Sequence, residues 1–222
     1  MRTIVALGGG QTTDSVRQYV LGLTGKERPK VLYLNTAAPQ DPRMSLRVLQ
    51  VLSRVADVEL VEFFPWPPDD LRELTLGRDV IQVGGGNTAN MLAIWRVHGF
   101  DELLREAYEQ GIVLTGSSAG MLCWFEAGVT DSFGPQLEGL RDGLGFLPGS
   151  ACPHYDDEEL RRPLYRRLVD EGFPPGYAAD AGVALRFVDG ELVEVVSPRE
   201  GATAYRVEPG SETPLEARLL PE

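Results

Sequence analysis

The chain has 222 residues, 43% hydrophobic and 24% charged, enough apolar content for a sizeable core and too much for a disordered or fibrous protein. A formal net charge of −12 excludes nucleic acid and anionic membrane as expected partners of the surface as a whole. Two cysteines, Cys123 and Cys152, make no disulfide framework and show no metal-ligand spacing, and no apolar stretch reaches bilayer-spanning length.

In chain order, Met1-Arg2-Thr3 leads directly into a strand-like run, Ile4 to Leu7, without a leader pattern, so a cytoplasmic protein is expected. Gly8-Gly9-Gly10-Gln11 closes that run, and a helix is predicted from about Thr13 to Leu23. Val31 to Leu34 reads as a second strand, Arg43 to Val55 as a helix, and Val58 to Phe64 as a third strand before Pro65-Trp66-Pro67-Pro68. Val80 to Val83 is a fourth strand, ended by Gly84-Gly85-Gly86-Asn87-Thr88. Helices follow from about Ala89 to Val97 and Phe100 to Gln110. Ile112 to Thr115 gives a fifth strand that enters Gly116-Ser117-Ser118-Ala119-Gly120.

Short apolar strands alternating with helical patterns imply a three-layer α/β sandwich with a mostly parallel central sheet and helices on both faces. In the last third, Leu160 to Val169 reads as an arginine-rich helix. Val183 to Phe187, Glu191 to Ser197 and Ala204 to Val207 read as antiparallel edge strands of the same sheet. No repeat or linker interrupts the chain, and a single α/β domain over residues 1–222 is expected.

Gly116-Ser117-Ser118-Ala119-Gly120 has the pattern Gly-x-Ser-x-Gly, with an apolar strand leading in and the helix-like run Met121-Leu122-Cys123-Trp124-Phe125 leading out. Such a turn lifts its middle serine clear of the sheet, and side chains at the flanking glycines would strike neighbouring backbone. Ser118 is therefore the candidate nucleophile, with Ser117 fixing the turn. The N–H of Ala119, at the start of the next helix, is placed to stabilise an oxyanion.

Only two histidines are available as a base. His98, before Gly99 at a helix end, reads as a terminus residue; His154, in Ala151-Cys152-Pro153-His154-Tyr155, reads as the base. Asp131, in the loop after the elbow helix, is the first candidate for the third member of a triad, and Glu126 the second. Asp156, Asp157, Glu158 and Glu159 read as a solvated helix start, or as a site for a peptide's free amino group.

The Gly84–Thr88 turn, the Gly116–Gly120 elbow and Pro153-His154-Tyr155, in that order, resemble the peptidase E family of serine peptidases. That family includes cyanophycinases, and its fold is similar to class I glutamine amidotransferases. The resemblance implies that Ser118 attacks the scissile carbonyl, that His154 is the general base, and that Gly85 or Gly86 supplies a second oxyanion donor. Ser117 stands where the family signature has tryptophan, and acidic residues separate His154 from Arg161 and Arg162, so aspartyl specificity does not follow from the resemblance.

Arg161 and Arg162, with Asn87, are candidate substrate-binding residues; the competing reading places both arginines on a charged helix face with Arg166 and Arg167. The expected activity is serine-dependent hydrolysis of short peptides through an acyl-enzyme, without metal or cofactor, by a monomer or small homo-oligomer. The alternatives are an isopeptidase acting on β-aspartyl or cyanophycin-like substrates, and a non-catalytic ligand-binding protein of the same fold. Serine at the elbow, where amidotransferases carry cysteine, disfavours a glutamine amidotransferase.

Overall fold

The structure, a computed structural model, describes residues 1–40 and 42–221. Its first part runs β1 (Thr3–Leu7), α1 (Asp14–Gly22), β2 (Lys30–Leu34), α2 (Pro42–Leu52), β3 (Asp57–Val61), α3 (Leu71–Leu76) and β4 (Val80–Val83). Then come α4 (Thr88–Val97), α5 (Phe100–Glu109), β5 (Val113–Ser117), α6 (Ala119–Leu122), β6 (Phe125–Thr130), β7 (Glu138–Leu140) and β8 (Leu147–Cys152). The remainder is α7 (Arg161–Asp170), β9 (Gly176–Ala179), β10 (Ala184–Val188), β11 (Glu191–Ser197), β12 (Ala204–Glu208), β13 (Ser211–Pro214) and β14 (Arg218–Leu219).

Eight strands form one sheet in the order β14-β11-β10-β1-β5-β4-β2-β3. The five strands from β1 to β3 in that order run parallel, while β10 pairs antiparallel with β1 and β11 antiparallel with β10. The alternation of apolar residues explains why helices cover both faces. Val5, Leu7, Val31 and Val80 pack with Val16, Val20 and Leu52 of α1 and α2. Ile4, Ala6, Leu32, Leu34, Ile81 and Val83 face the other way, onto Met91, Leu92, Trp95 and Leu104 of α4 and α5. Trp95 is fully buried, and its indole N–H donates to Thr36 Oγ1 at 3.1 Å, so its burial leaves no polar orphan. The expected sandwich, with a mostly parallel centre and an antiparallel flank from the C-terminal third, is what the chain builds.

Two features differ from expectation. A second, six-stranded sheet, β13-β12-β9-β8-β6-β7, lies on the α4–α5 side and shares its core through Phe125, Leu147, Ala151 and Ala204. The strand expected at Ala204–Val207 belongs to this sheet, pairing with β9 and β13 rather than extending the first. Secondly, the helix after Ser118 has four residues, and Phe125 already begins β6. The carbonyls of Cys123 and Trp124 accept from the N–H groups of Leu144 and Leu147, so the chain trades helix bonds for ladder bonds there. A short apolar run carries no periodicity to separate these outcomes. Glu126 consequently sits on a strand, where it accepts from the N–H of Gly149 at 2.8 Å, away from the expected triad.

Among the described residues, no helix is long and apolar enough to cross a membrane. Within the parallel sheet, β1, β2, β4 and β5 all deliver their loops to one carboxyl edge, and the candidate site is there.

Candidate active site

The elbow is built as its sequence requires. A Cβ on Gly116 would lie 2.5 Å from the carbonyl oxygen of Gly120, and one on Gly120 would lie 2.4 Å from that of Val83. Between them Ser118 takes φ 58°, ψ −109°, a conformation rare for a residue with a side chain. Its N–H is held by the carbonyl of Leu7 at 3.2 Å. Ser117 ends β5 in register with Leu7, which leaves Ser118 as the serine presented at the edge.

His154 arrives from the second sheet, in the loop after β8. Its N–H donates to the carbonyl of Gly8 at 2.6 Å, and the next N–H, of Tyr155, donates to that of Ala179 at 3.1 Å. His154 also has positive φ, 57°; among the described non-glycine residues only Ser118, His154 and Asp189 do. Such conformations persist where surrounding bonds enforce them, and two of the three meet at one point. His154 Nε2 lies 3.0 Å from Ser118 Oγ, within hydrogen-bond reach, and the imidazole side chain is 17% exposed.

The other ring nitrogen faces an acid that the sequence did not single out. His154 Nδ1 is 3.2 and 3.4 Å from the two carboxylate oxygens of Asp157, and 3.8 Å from Glu158 Oε1. Asp131 is exposed in the loop after β6 and makes no contact with the ring, so the geometry replaces it with Asp157. The reason is local. The turn after His154 brings the N–H of Glu158 to the carbonyl of His154 at 3.2 Å and folds the acidic run back beneath the imidazole. Asp156 is also engaged, accepting from the N–H of Ala181 at 2.7 Å and pairing with Arg199. The run is largely exposed just before α7, as expected of a solvated helix start, but Asp157 within it faces the imidazole, and Asp156 is already paired and not free for a substrate's amino group.

The three substrate-binding candidates are likewise committed within the protein. Arg161 is 3% exposed, bonds Glu158 and donates to the carbonyl of Val129 at 2.9 Å. Arg162 pairs with Glu212 and lies over the rings of Tyr155 and Tyr205. Asn87 caps α4, its Oδ1 accepting from the N–H of Asn90 at 2.8 Å, and its Nδ2 donates to the carbonyl of Ser132 at 2.9 Å. His98 ends α4 as expected, exposed and 5.6 Å from the Phe63 ring. Cys123 and Cys152 are free and buried, and burial pushes the Cys152 thiol up to about 12. No cluster of three or more histidine, cysteine, aspartate or glutamate residues suited to a metal ion occurs among the described residues.

Around Ser118 are backbone donors without acceptors. Ala119 is the first residue of α6, so its N–H has no carbonyl one turn back within that helix. Gly85 backs onto Ser118: a Cβ there would lie 3.3 Å from Ser118 Cβ and 3.8 Å from its Oγ. Among the described residues the N–H groups of Gly85 and Gly86 bond no acceptor. Beside them opens a cavity of about 440 Å³, walled by Tyr33, Met44, Val48 and Val51 and reached by Arg47. Arg47 is exposed and makes no ion pair with any described residue. The signal missed in the sequence was Gly9, at φ 99°, where a Cβ would sit 2.4 Å from the His154 ring.

Comparison with known proteins identifies the family and the fold. The model of peptidase family S51 matches residues 4–195. An uncharacterized peptidase of Bacillus subtilis strain 168, YgaJ, is 44% identical over 214 residues, covering 93% of this chain and 92% of the relative. The crystal structure of a peptidase from an acI-B1 Actinobacterium superposes with a TM-score of 0.72 at 17% identity, covering 98% of this chain and 95% of that one. A candidate peptidase E protein from Listeria monocytogenes EGD-e superposes with a TM-score of 0.61 at 20% identity, covering 87% and 97%. At those identities the two structures speak for the fold.

Proposed function

Because the chain belongs to peptidase family S51 and is a serine peptidase, we propose that it hydrolyses short peptides through an acyl-enzyme formed on Ser118. The observation that carries this reading is the 3.0 Å approach of His154 Nε2 to Ser118 Oγ at a strained strand-to-helix turn. His154 takes the hydroxyl proton as Oγ attacks the scissile carbonyl. The oxyanion forms between the N–H groups of Gly85 and Ala119, and His154 returns the proton to the departing amine. Water then repeats the sequence on the ester. Asp157 accepts from Nδ1–H, which fixes the tautomer that leaves Nε2 basic and stabilises the imidazolium.

The cavity beside Ser118 favours an acyl residue that is short and acidic, because Arg47, which makes no ion pair with any described residue, reaches it and its walls are otherwise largely apolar. An α-linked and a β-linked aspartyl residue both present a carboxylate there, so an isopeptidase activity stands beside the dipeptidase one.

A panel of α- and β-aspartyl and neutral dipeptides, run with wild type and Ser118→Ala, tests both levels. Ser118→Ala is expected to lower kcat by about 10⁴-fold or more without changing the melting temperature. Equal turnover by the two proteins would refute the mechanism; preference for neutral dipeptides would refute only the role of Arg47.

A further inference from the structure

The proposed mechanism needs the Gly84–Gly86 turn held so that its donors meet the developing oxyanion, and glycines cannot hold themselves there. We infer that Asn87 is a positioning residue for this oxyanion turn, acting through the main-chain carbonyl of Ser132. The inference rests on the catalytic reading above.

The turn is fastened at both ends and open in the middle. On one side the N–H of Gly84 donates to the carbonyl of Leu34 at 2.9 Å. On the other the N–H of Asn87 donates to the carbonyl of Ala37 at 2.8 Å. Gly85 and Gly86 lie between with their N–H groups unbonded within the described chain. Gly86 presses on Ala37 so closely that a Cβ would meet that carbonyl oxygen at 2.3 Å, which blocks retreat toward β2.

The Asn87 side chain then divides its two ends between two tasks. Oδ1 caps α4 through the N–H of Asn90, while Nδ2 reaches 45 residues along the chain to the carbonyl of Ser132. That loop is itself ordered by a 2.7 Å bond between the hydroxyls of Thr130 and Ser132, and Ser132 Oγ accepts from the N–H of Ala89 at 3.2 Å. The loop that the sequence offered as a source of the triad acid thus serves the other half of the chemistry. It clamps the oxyanion strip from the second sheet.

The two tasks can be separated. Asn87→Asp and Asn87→Ser both keep an oxygen that caps α4; the ionised aspartate has no donor for the Ser132 carbonyl, and the serine hydroxyl, on a shorter side chain, does not reach it from the capping position. Both variants are expected to lower kcat, and the rate of Ser118 labelling by a fluorophosphonate, by about 10- to 100-fold together, with KM within about twofold and melting close to wild type. Ser132→Ala keeps the accepting carbonyl and is expected to lose less. Unchanged kcat in both Asn87 variants, beside an inactive Ser118→Ala, would overturn this inference and leave the mechanism standing. A fall in kcat matched by an equal rise in KM or by broad loss of melting temperature would also overturn it, since a structural defect explains that pattern. Labelling of Ser118→Ala at the wild-type rate would overturn both.

Discussion

His154 packs its ring onto a position that has no side chain, and that juxtaposition sets the tolerance of the site. At Gly9, Cβ and imidazole cannot coexist, and the φ of 99° adds strain for any other residue. Gly9→Ala is expected to cost about 1–3 kcal/mol of stability and most of the activity, measured by thermal melting and dipeptide turnover. The acid is tested by a pair of variants. Asp157→Asn should lower kcat by about 10²-fold or more, short of the roughly 10⁴-fold seen when a fully buried triad acid is neutralised, since this carboxylate is 45% exposed and Glu158 is near. Asp131→Asn should leave kcat unchanged. If the two results are reversed, the assignment of the third member fails. Ser118 was legible in the sequence because it sits in a short pattern whose backbone geometry the pattern dictates, and His154 because the chain holds only two histidines and His98 reads as a helix end. Asp157 was not, because four consecutive acids are alike on paper and only the turn at residues 155–160 selects the one that meets Nδ1.

At the scale of elements, the parallel strands and their helices were readable because five apolar runs alternate with amphipathic stretches. Val80–Val83 and Glu191–Ser197 match the expected bounds residue for residue. The second sheet was largely hidden: Leu-Pro-Gly-Ser-Ala-Cys, Gly-Tyr-Ala-Ala and Ser-Glu-Thr-Pro have little β-branched content and pair only because neighbours are supplied. Its edge strand β13 nevertheless braces the base. Glu212 accepts from the Tyr155 hydroxyl and pairs with Arg162, and its side chain is 8% exposed. Burial alone would raise the Glu212 pKa, but the Tyr155 hydrogen bond and the Arg162 charge outweigh it, and the net shift is downward from 4.5. A depressed carboxyl stabilises the fold above its unfolded pKa and loses that contribution as pH falls through the folded value. Glu212→Gln should therefore be less stable than wild type at pH 7 by about 1–3 kcal/mol, with the gap narrowing below about pH 4.5. Melting curves that stay parallel from pH 7 to pH 3 would contradict this account.

For the molecule as a whole, the proposed nucleophile comes from one sheet and the proposed base from the other. Ser118 follows β5 at the centre of the eight-stranded sheet, and His154 follows β8 within the six-stranded one. Their meeting depends on the His154 N–H to Gly8 bond and on the shared core beneath it. Turnover consequently works as a ruler laid across the seam. A ligand, a pressure step or a crosslink that shifts the halves by an ångström would silence the enzyme while its circular dichroism stayed native, and restoring the alignment would restart it.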